Sequence, residues 1–356
     1  MIQGHGDDAY QYKNTIKYNF SSNIYKNIDL SNLKTYLYKK INCINSYPEP
    51  QATKLENIIA EKSNILPENV LATNGAIEAI YLIAQTYAKA TSLIPLTTFS
   101  EYKDASLLNK HNILYFSSLK ELQNDYLNNK IETSDYRLVW ICNPNNPDGK
   151  YYNLKELNSL ISKYPKIIFI IDQSYEFFLN KEVFTPTQGC EFPNVIILHS
   201  MTKKFAIPGL RLGYITANKD LIQQIKEYKI PWSVNALAIE AGIFVLNFYS
   251  TNNKNIEELL KERKWLSQEI DNIQLFETLN TDTHYFLVHI KNNPQKLDSK
   301  GLKDVLAKKY GILIRDASNF GGLDNFYFRI ATQEHKQNVA LIKALKEVNI
   351  KYLIEI

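Results

Sequence analysis

Along the first two thirds of the chain, short apolar runs alternate with stretches whose apolar residues recur at helical spacing. Thr91–Leu96, Asn112–Phe116, Arg137–Cys142, Lys166–Asp172, Asn194–His199 and Arg211–Ala217 read as strands. Several are apolar at nearly every position, as parallel strands covered on both faces must be. Glu101–Asn109 and Leu154–Lys163 carry the helical period between them. This alternation predicts an α/β fold with a mostly parallel central sheet. After Ser233 the pattern changes. Two helical stretches, about Asn235–Phe248 and Asn255–Ile270, precede strand patterns at Thr283–Ile290, Gly311–Asp316 and Phe326–Ala331. Helical stretches at about Ser299–Tyr310 and Glu334–Val348 complete a smaller α+β region. The predicted division is an N-terminal arm over 1–30, a large domain over 31–245 and a small C-terminal domain over 246–356.

Composition narrows the class. Of 356 residues, 45% are hydrophobic and 22% charged, ordinary for a globular protein and unlike a disordered, collagenous or disulfide-rich chain. The balance of 41 basic and 37 acidic residues gives +4, too little to imply nucleic acid by itself. Cys43, Cys142 and Cys190 lie far apart and predict free thiols rather than a disulfide framework or a zinc site. His284 and His289 stand five apart in a strand pattern, on opposite faces, so no metal is predicted. The N-terminus lacks a basic start and an apolar core, and no apolar run approaches the ~18 residues of a membrane span. The expectation is a cytoplasmic protein without membrane or nucleic-acid partners.

Arginine usage is more telling. The chain has five: Arg137, Arg211, Arg263, Arg315 and Arg329. Lysine serves elsewhere for positive charge, so each arginine is a candidate for bidentate grip on a carboxylate or phosphate. Arg263, in KERKW, and Arg137, opening a strand, read more simply as surface or ion-pair residues.

In open α/β sheets ligands bind beyond the carboxyl ends of the strands, and four strand ends carry special residues. After Val70–Ala72 comes Thr73-Asn74-Gly75-Ala76, then a helical pattern; a glycine at a helix start lets backbone N–H groups approach an anion. After Cys142 comes Asn143-Pro144-Asn145-Asn146-Pro147-Asp148-Gly149, a rigid turn. Asp172 ends an apolar strand, where a carboxylate wants a cation, and Tyr175 follows. Ser200-Met201-Thr202-Lys203 follows the next strand, where burial depresses a lysine pKa and makes the amine a nucleophile. Arg211 lies eight residues on.

The order Asn-Gly-Ala, Asn-Pro-x-Asn-Pro-x-Gly, Asp-x-x-Tyr, Ser-x-x-Lys and Arg resembles the fold-type I pyridoxal-phosphate enzymes of aminotransferase class I/II, from about residue 20 to 335. The resemblance implies that fold, the cofactor pyridoxal 5'-phosphate, and a homodimer with shared active sites. It implies that Lys203 binds the cofactor covalently, Asp172 pairs with its ring nitrogen, and Asn146 and Tyr175 reach its phenolic oxygen. Phe99 would stack on the ring. Gly75, Ala76, Ser200 and Arg211 would hold the phosphate, with Tyr47 reaching the neighbouring subunit's cofactor. Arg329 would clamp the substrate carboxylate.

Within the class, YPEPQ and the Arg315/Arg329 pair resemble the histidinol-phosphate aminotransferases and the L-threonine-O-3-phosphate decarboxylases, which imply a small phosphorylated amino-acid or amine substrate. TKKFAIPGLRLGY, PWSVNALAIEAG and LIRDASNFGGLDNFYFRIA favour the decarboxylases, whose product, aminopropanol phosphate, is a precursor of the cobalamin nucleotide loop. Gly4-His5-Gly6 resembles their N-terminal His-Gly motif, although Asp7-Asp8 stands where Gly-Asn is expected. His5, Asn23, Arg315 and Arg329 are the implied substrate residues. The alternative is an aminotransferase, and a more distant one a non-catalytic cofactor-binding protein.

Overall fold

The structure is a computed structural model and describes residues 7–12, 15–24, 28–128, 137–249, 253–291 and 294–353. His5 lies outside them.

Two main sheets organise the chain. Strands β1 (Tyr18–Asn19), β2 (Val70–Thr73), β3 (Thr91–Pro95), β4 (Asn112–Phe116), β5 (Arg137–Cys142), β6 (Ile168–Asp172), β7 (Val195–Ser200) and β8 (Gly213–Ala217) come first. All but β1 form one seven-stranded sheet in the order β2-β8-β7-β6-β5-β3-β4. The pairs from β4 through β7 are parallel, and β8 is antiparallel to both neighbours.

Alternation explains the apolar runs. In β5, Leu138, Trp140 and Cys142 join a core under the helices Gly75–Thr86 and Glu101–Leu108, while Val139 and Ile141 join a second core with Leu157, Leu160 and Phe184. Both faces of the strand are therefore buried, which selects for apolar residues at both parities.

The second sheet holds β9 (Phe276–Thr278), β10 (Tyr285–Ile290), β12 (Arg315–Asp316) and β13 (Tyr327–Ala331), antiparallel in the order β12-β13-β10-β9. The apolar run 311–316 was read as one strand, but it splits. β11 (Ile312–Leu313) pairs with β1, whereas β12 pairs with β13. The chain changes partner at buried Ile314, so a single run serves two sheets. The helix Asn253–Asp271 contributes Ile256 and Leu259 to the large-sheet core and Leu266 and Ile270 to the core of the second sheet. Among the described residues no helix is long and apolar enough to cross a membrane.

A buried polar network ties β3 to β5. His111 Nε2 lies 2.8 Å from the Ala84 carbonyl oxygen, so Nε2 carries the proton and Nδ1 accepts from Ser92 Oγ at 2.9 Å. Burial lowers the His111 pKa, which keeps this ring neutral. Ser92 Oγ also accepts from Ser106 Oγ and from Trp140 Nε1, each at 3.1 Å. One hydroxyl thus uses its single donor and both acceptor positions. Ser92→Ala removes all three bonds; with about 1–3 kcal/mol per buried group left unpaired, the expected loss of stability is at least ~2 kcal/mol, read as a lower urea midpoint at unchanged m.

Candidate active site

A cavity of about 270 Å³ opens at the carboxyl edge of the parallel strands. The strands β5, β6 and β7 end at Cys142, Asp172 and Ser200, and all three residues line it. Arg211 reaches the same edge because β8 runs backwards: Gly213 pairs with Ser200 on one side and Thr73 on the other. The start of β8 therefore lies at the ends of its neighbours.

The structure brings most of the predicted residues to this cavity. Ala76, Phe99, Asn146 and Tyr175 line it, as do Lys203 and Arg211. Asn23, Arg315 and Arg329 line it as well. Gly75 lies beneath Arg211. Its φ is +76°, and a Cβ there would stand 2.7 Å from Arg211 Nη2, so the guanidinium packs onto the helix start only because the residue is glycine. Tyr47 stands apart, 87% exposed, with its ring 5.5 Å from that of Trp232.

Asp172 is buried. Its Oδ2 accepts from Tyr102 Oη at 2.6 Å and its Oδ1 from the Ser174 N–H at 2.9 Å. Lys203 sits in the short helix Met201–Lys204, its Nζ 5.8 Å from the Tyr175 ring centre. Desolvation, then the charges of Arg329 and Arg211, pull its pKa from 10.5 down to about 8. Burial pushes the Tyr175 hydroxyl pKa up, against a smaller opposing effect of Arg329, so Tyr175 keeps its proton. In the Asn-Pro turn the asparagines divide their roles. Asn143 exchanges two bonds with the Tyr152 backbone, Asn145 ties Thr97 and Thr98 to Asp148, and Asn146 accepts from Arg329 Nη1.

The two buried arginines, Arg315 and Arg329, are direct cross-strand partners on β12 and β13. Arg315 Nη2 donates to Asn319 Oδ1 at 2.7 Å, and Arg329 Nη2 to the Ser21 carbonyl at 2.6 Å. Arg329 Nε has no partner. Among the described residues, neither of them nor Arg211 forms an ion pair with a carboxylate. Like charges placed opposite one another are unfavourable, and burial lowers both pKa values. The amide of Asn23 lies near the Tyr175 hydroxyl but closes no bond of normal geometry. The donors left over point to anionic guests.

The sequence reading missed Tyr102, Ser174 and Phe320, all of which line the cavity. The F-x-x-Y spacing, which places Phe99 and Tyr102 three apart at a helix start, was the signal available for Tyr102.

A parallel-sheet edge carrying a lysine, an aspartate and an arginine packed on a glycine-started helix is the arrangement of a pyridoxal-phosphate-dependent enzyme of the aminotransferase fold. Residues 15–345 match the family described as aminotransferase class I and II, and the chain belongs to it. Its structure is similar to that of L-threonine-O-3-phosphate decarboxylase from Porphyromonas gingivalis, with a TM-score of 0.85 and 34% identity over 93% of this chain and 99% of that one. The threonine-phosphate decarboxylase of Salmonella typhimurium is 29% identical over 89% of this chain and 86% of its own length. The histidinol-phosphate aminotransferase of Thermoanaerobacter pseudethanolicus is equally near, at 29% over 86% and 85%.

The Lys203 pKa makes a prediction for the cofactor-free protein. A lysine whose folded pKa is about 8 against an ordinary 10.5 destabilises the fold fully below pH 8, and the penalty fades as pH rises toward 10.5. Lys203→Met is therefore expected to resist urea better than the parent at pH 7. Its advantage should shrink between pH 8 and 10.5, as measured by urea midpoints across that range.

Proposed function

We propose that the chain decarboxylates L-threonine O-3-phosphate to aminopropanol phosphate. The observation that carries this reading is the pair Arg315 and Arg329, buried, mutually repelling and, among the described residues, in no ion pair with a carboxylate. Two cations held this way beside the cofactor site suit a substrate with two anionic groups, a carboxylate and a phosphate.

Bound pyridoxal phosphate supplies an electron sink for a bond broken at the substrate's α carbon. The side chains fit that group. Lys203 offers an amine that is substantially neutral near pH 8. Asp172, fixed by two donors, holds the ring nitrogen, and Tyr175 and Asn146 hold the phenolic oxygen. Phe99 covers the ring face, and Gly75, Ala76, Ser200 and Arg211 hold the phosphate. Arg329 and Asn23 take the substrate carboxylate, and Arg315 takes its phosphate. By fixing the orientation of the substrate carboxylate, these three residues would favour loss of CO2 over loss of the α hydrogen. Lys203 then returns a proton to the α carbon as general acid. His5 belongs to the same substrate group by resemblance. Segments 1–30, 31–245 and 246–356 act as arm, cofactor domain and small domain.

A homodimer with shared sites is part of this reading. Tyr47 does not line its own cavity, Trp232, 49% exposed, packs against it, and Ile230, two residues before Trp232, is 70% exposed, a surface suited to a second copy. Histidinol-phosphate transamination is the second reading, favoured by the equal likeness to that aminotransferase.

The cofactor-loaded protein is expected to release CO2 and aminopropanol phosphate from L-threonine O-3-phosphate, and to form no glutamate from histidinol phosphate with 2-oxoglutarate. Glutamate without CO2 would replace the proposal with its alternative. Arg315→Ala is expected to raise KM for threonine phosphate at least ~10-fold, the cost of a lost charge-assisted contact, while cofactor affinity stays unchanged by titration.

A further inference from the structure

We infer that Tyr102 is a positioning residue, whose hydroxyl holds the Asp172 carboxylate in the orientation that meets the cofactor ring. The inference rests on the assignment of Asp172 to the ring nitrogen. Asp172 turns between two donors, Tyr102 Oη and the Ser174 N–H. The backbone donor is fixed by the loop after β6; the other is a side chain 70 residues away in sequence. A carboxylate has about four acceptor positions, and two are taken on the protein side. The rest face the cavity that Asp172 lines.

Tyr102 is held in place on every side. It is fully buried at the start of the helix Glu101–Leu108. Its ring stacks on Trp140, centres 5.2 Å apart and planes 20° from parallel, and Phe99 meets it edge-on at 5.8 Å. Trp140 is itself held by Ser92, and Ser92 by His111. The ring therefore cannot swing, and its hydroxyl points one way. Burial and the neighbouring Asp172 charge raise its pKa well above 10, so it remains a donor at every pH at which the fold works. Phe99 and Tyr102 thus connect the residue proposed to cover the cofactor ring with the one that orients its counter-ion.

The test is a double-mutant cycle in the full-length protein, read by pyridoxal-phosphate affinity and by the visible circular-dichroism band of the bound cofactor. Tyr102→Phe is expected to weaken the cofactor about tenfold, the scale of a hydrogen bond to a charged group, to shrink the dichroic band, and to lower kcat more than it changes KM. Trp140→Phe, which loosens the stack but keeps the hydroxyl, should shift the band in the same direction by less, and it keeps the test open if Tyr102→Phe does not fold. In an Asp172→Ala background, Tyr102→Phe should add nothing further, because it acts through that carboxylate. If Asp172→Ala weakens the cofactor while Tyr102→Phe and Trp140→Phe leave affinity and band unchanged, Tyr102 is only a packing residue and the inference is overturned. If Asp172→Ala itself changes neither readout, the assignment of Asp172 falls first, and the inference falls with it.

Discussion

The site is organised around one unfavourable arrangement: two buried guanidinium groups are direct partners across adjacent antiparallel strands, and among the described residues neither forms an ion pair with a carboxylate, the Asp316 and Asp8 charges only partly offsetting that of Arg315. A fold selected for stability alone would have placed an aspartate opposite Arg329. Here the neutralising partners are neutral acceptors: the Asn146 amide oxygen, the Ser21 carbonyl and the Asn319 amide oxygen. Such acceptors orient a guanidinium without consuming its charge. The field that results reaches across the cavity and contributes to the depressed pKa of Lys203, in which Arg329 is the largest contributor after desolvation. The arginine proposed to grip the substrate carboxylate thus also lowers the pKa of the lysine amine.

The large sheet makes that design possible by bringing distant sequence to one edge. Parallel strands all end on the same side, so Cys142, Asp172 and Ser200 meet although each lies about 30 residues from the next. The single reversed strand, β8, adds Arg211 from its beginning rather than its end. Gly75 lets that arginine lie against the helix start where backbone N–H groups are free.

Much of this was legible in the residues. Strands buried on both faces leave continuous apolar runs, so β3 and β5 to β7 could be read directly, and motif order singled out Lys203, Asp172 and Asn146. What stayed hidden has physical reasons. The split of 311–316 between β11 and β12 depends on which partner strand is near, and Ile312 through Ile314 look the same in either sheet. The F-x-x-Y spacing flags Tyr102 but not its role, which lies in a contact with Asp172 across 70 residues. A tyrosine on a helix carries no mark of what its hydroxyl meets. The opposition of Arg315 to Arg329 is likewise a fact of register, which two arginines fourteen positions apart do not announce.

The small pairing of β1 with β11 has a consequence for how such an enzyme can diversify. The Phe20 N–H donates to the Leu313 carbonyl and the Phe20 carbonyl accepts from Ala331, at 2.8 and 2.9 Å. The wall formed by Ser21, Ser22 and Asn23 is therefore stitched to β13, which carries Arg329, and to the segment just before Arg315, while Asp172 ends a strand of the other sheet and Lys203 lies in the short helix that follows its neighbour β7. The residues proposed to grip substrate and those proposed to hold the cofactor thus reside on different scaffolds, which share the cavity and the helix Asn253–Asp271 that packs into both cores. Sequence drift in the grip scaffold can retune which phosphorylated molecule is accepted while the chemical apparatus is inherited intact, so a single lineage can explore many substrates without reinventing a reaction.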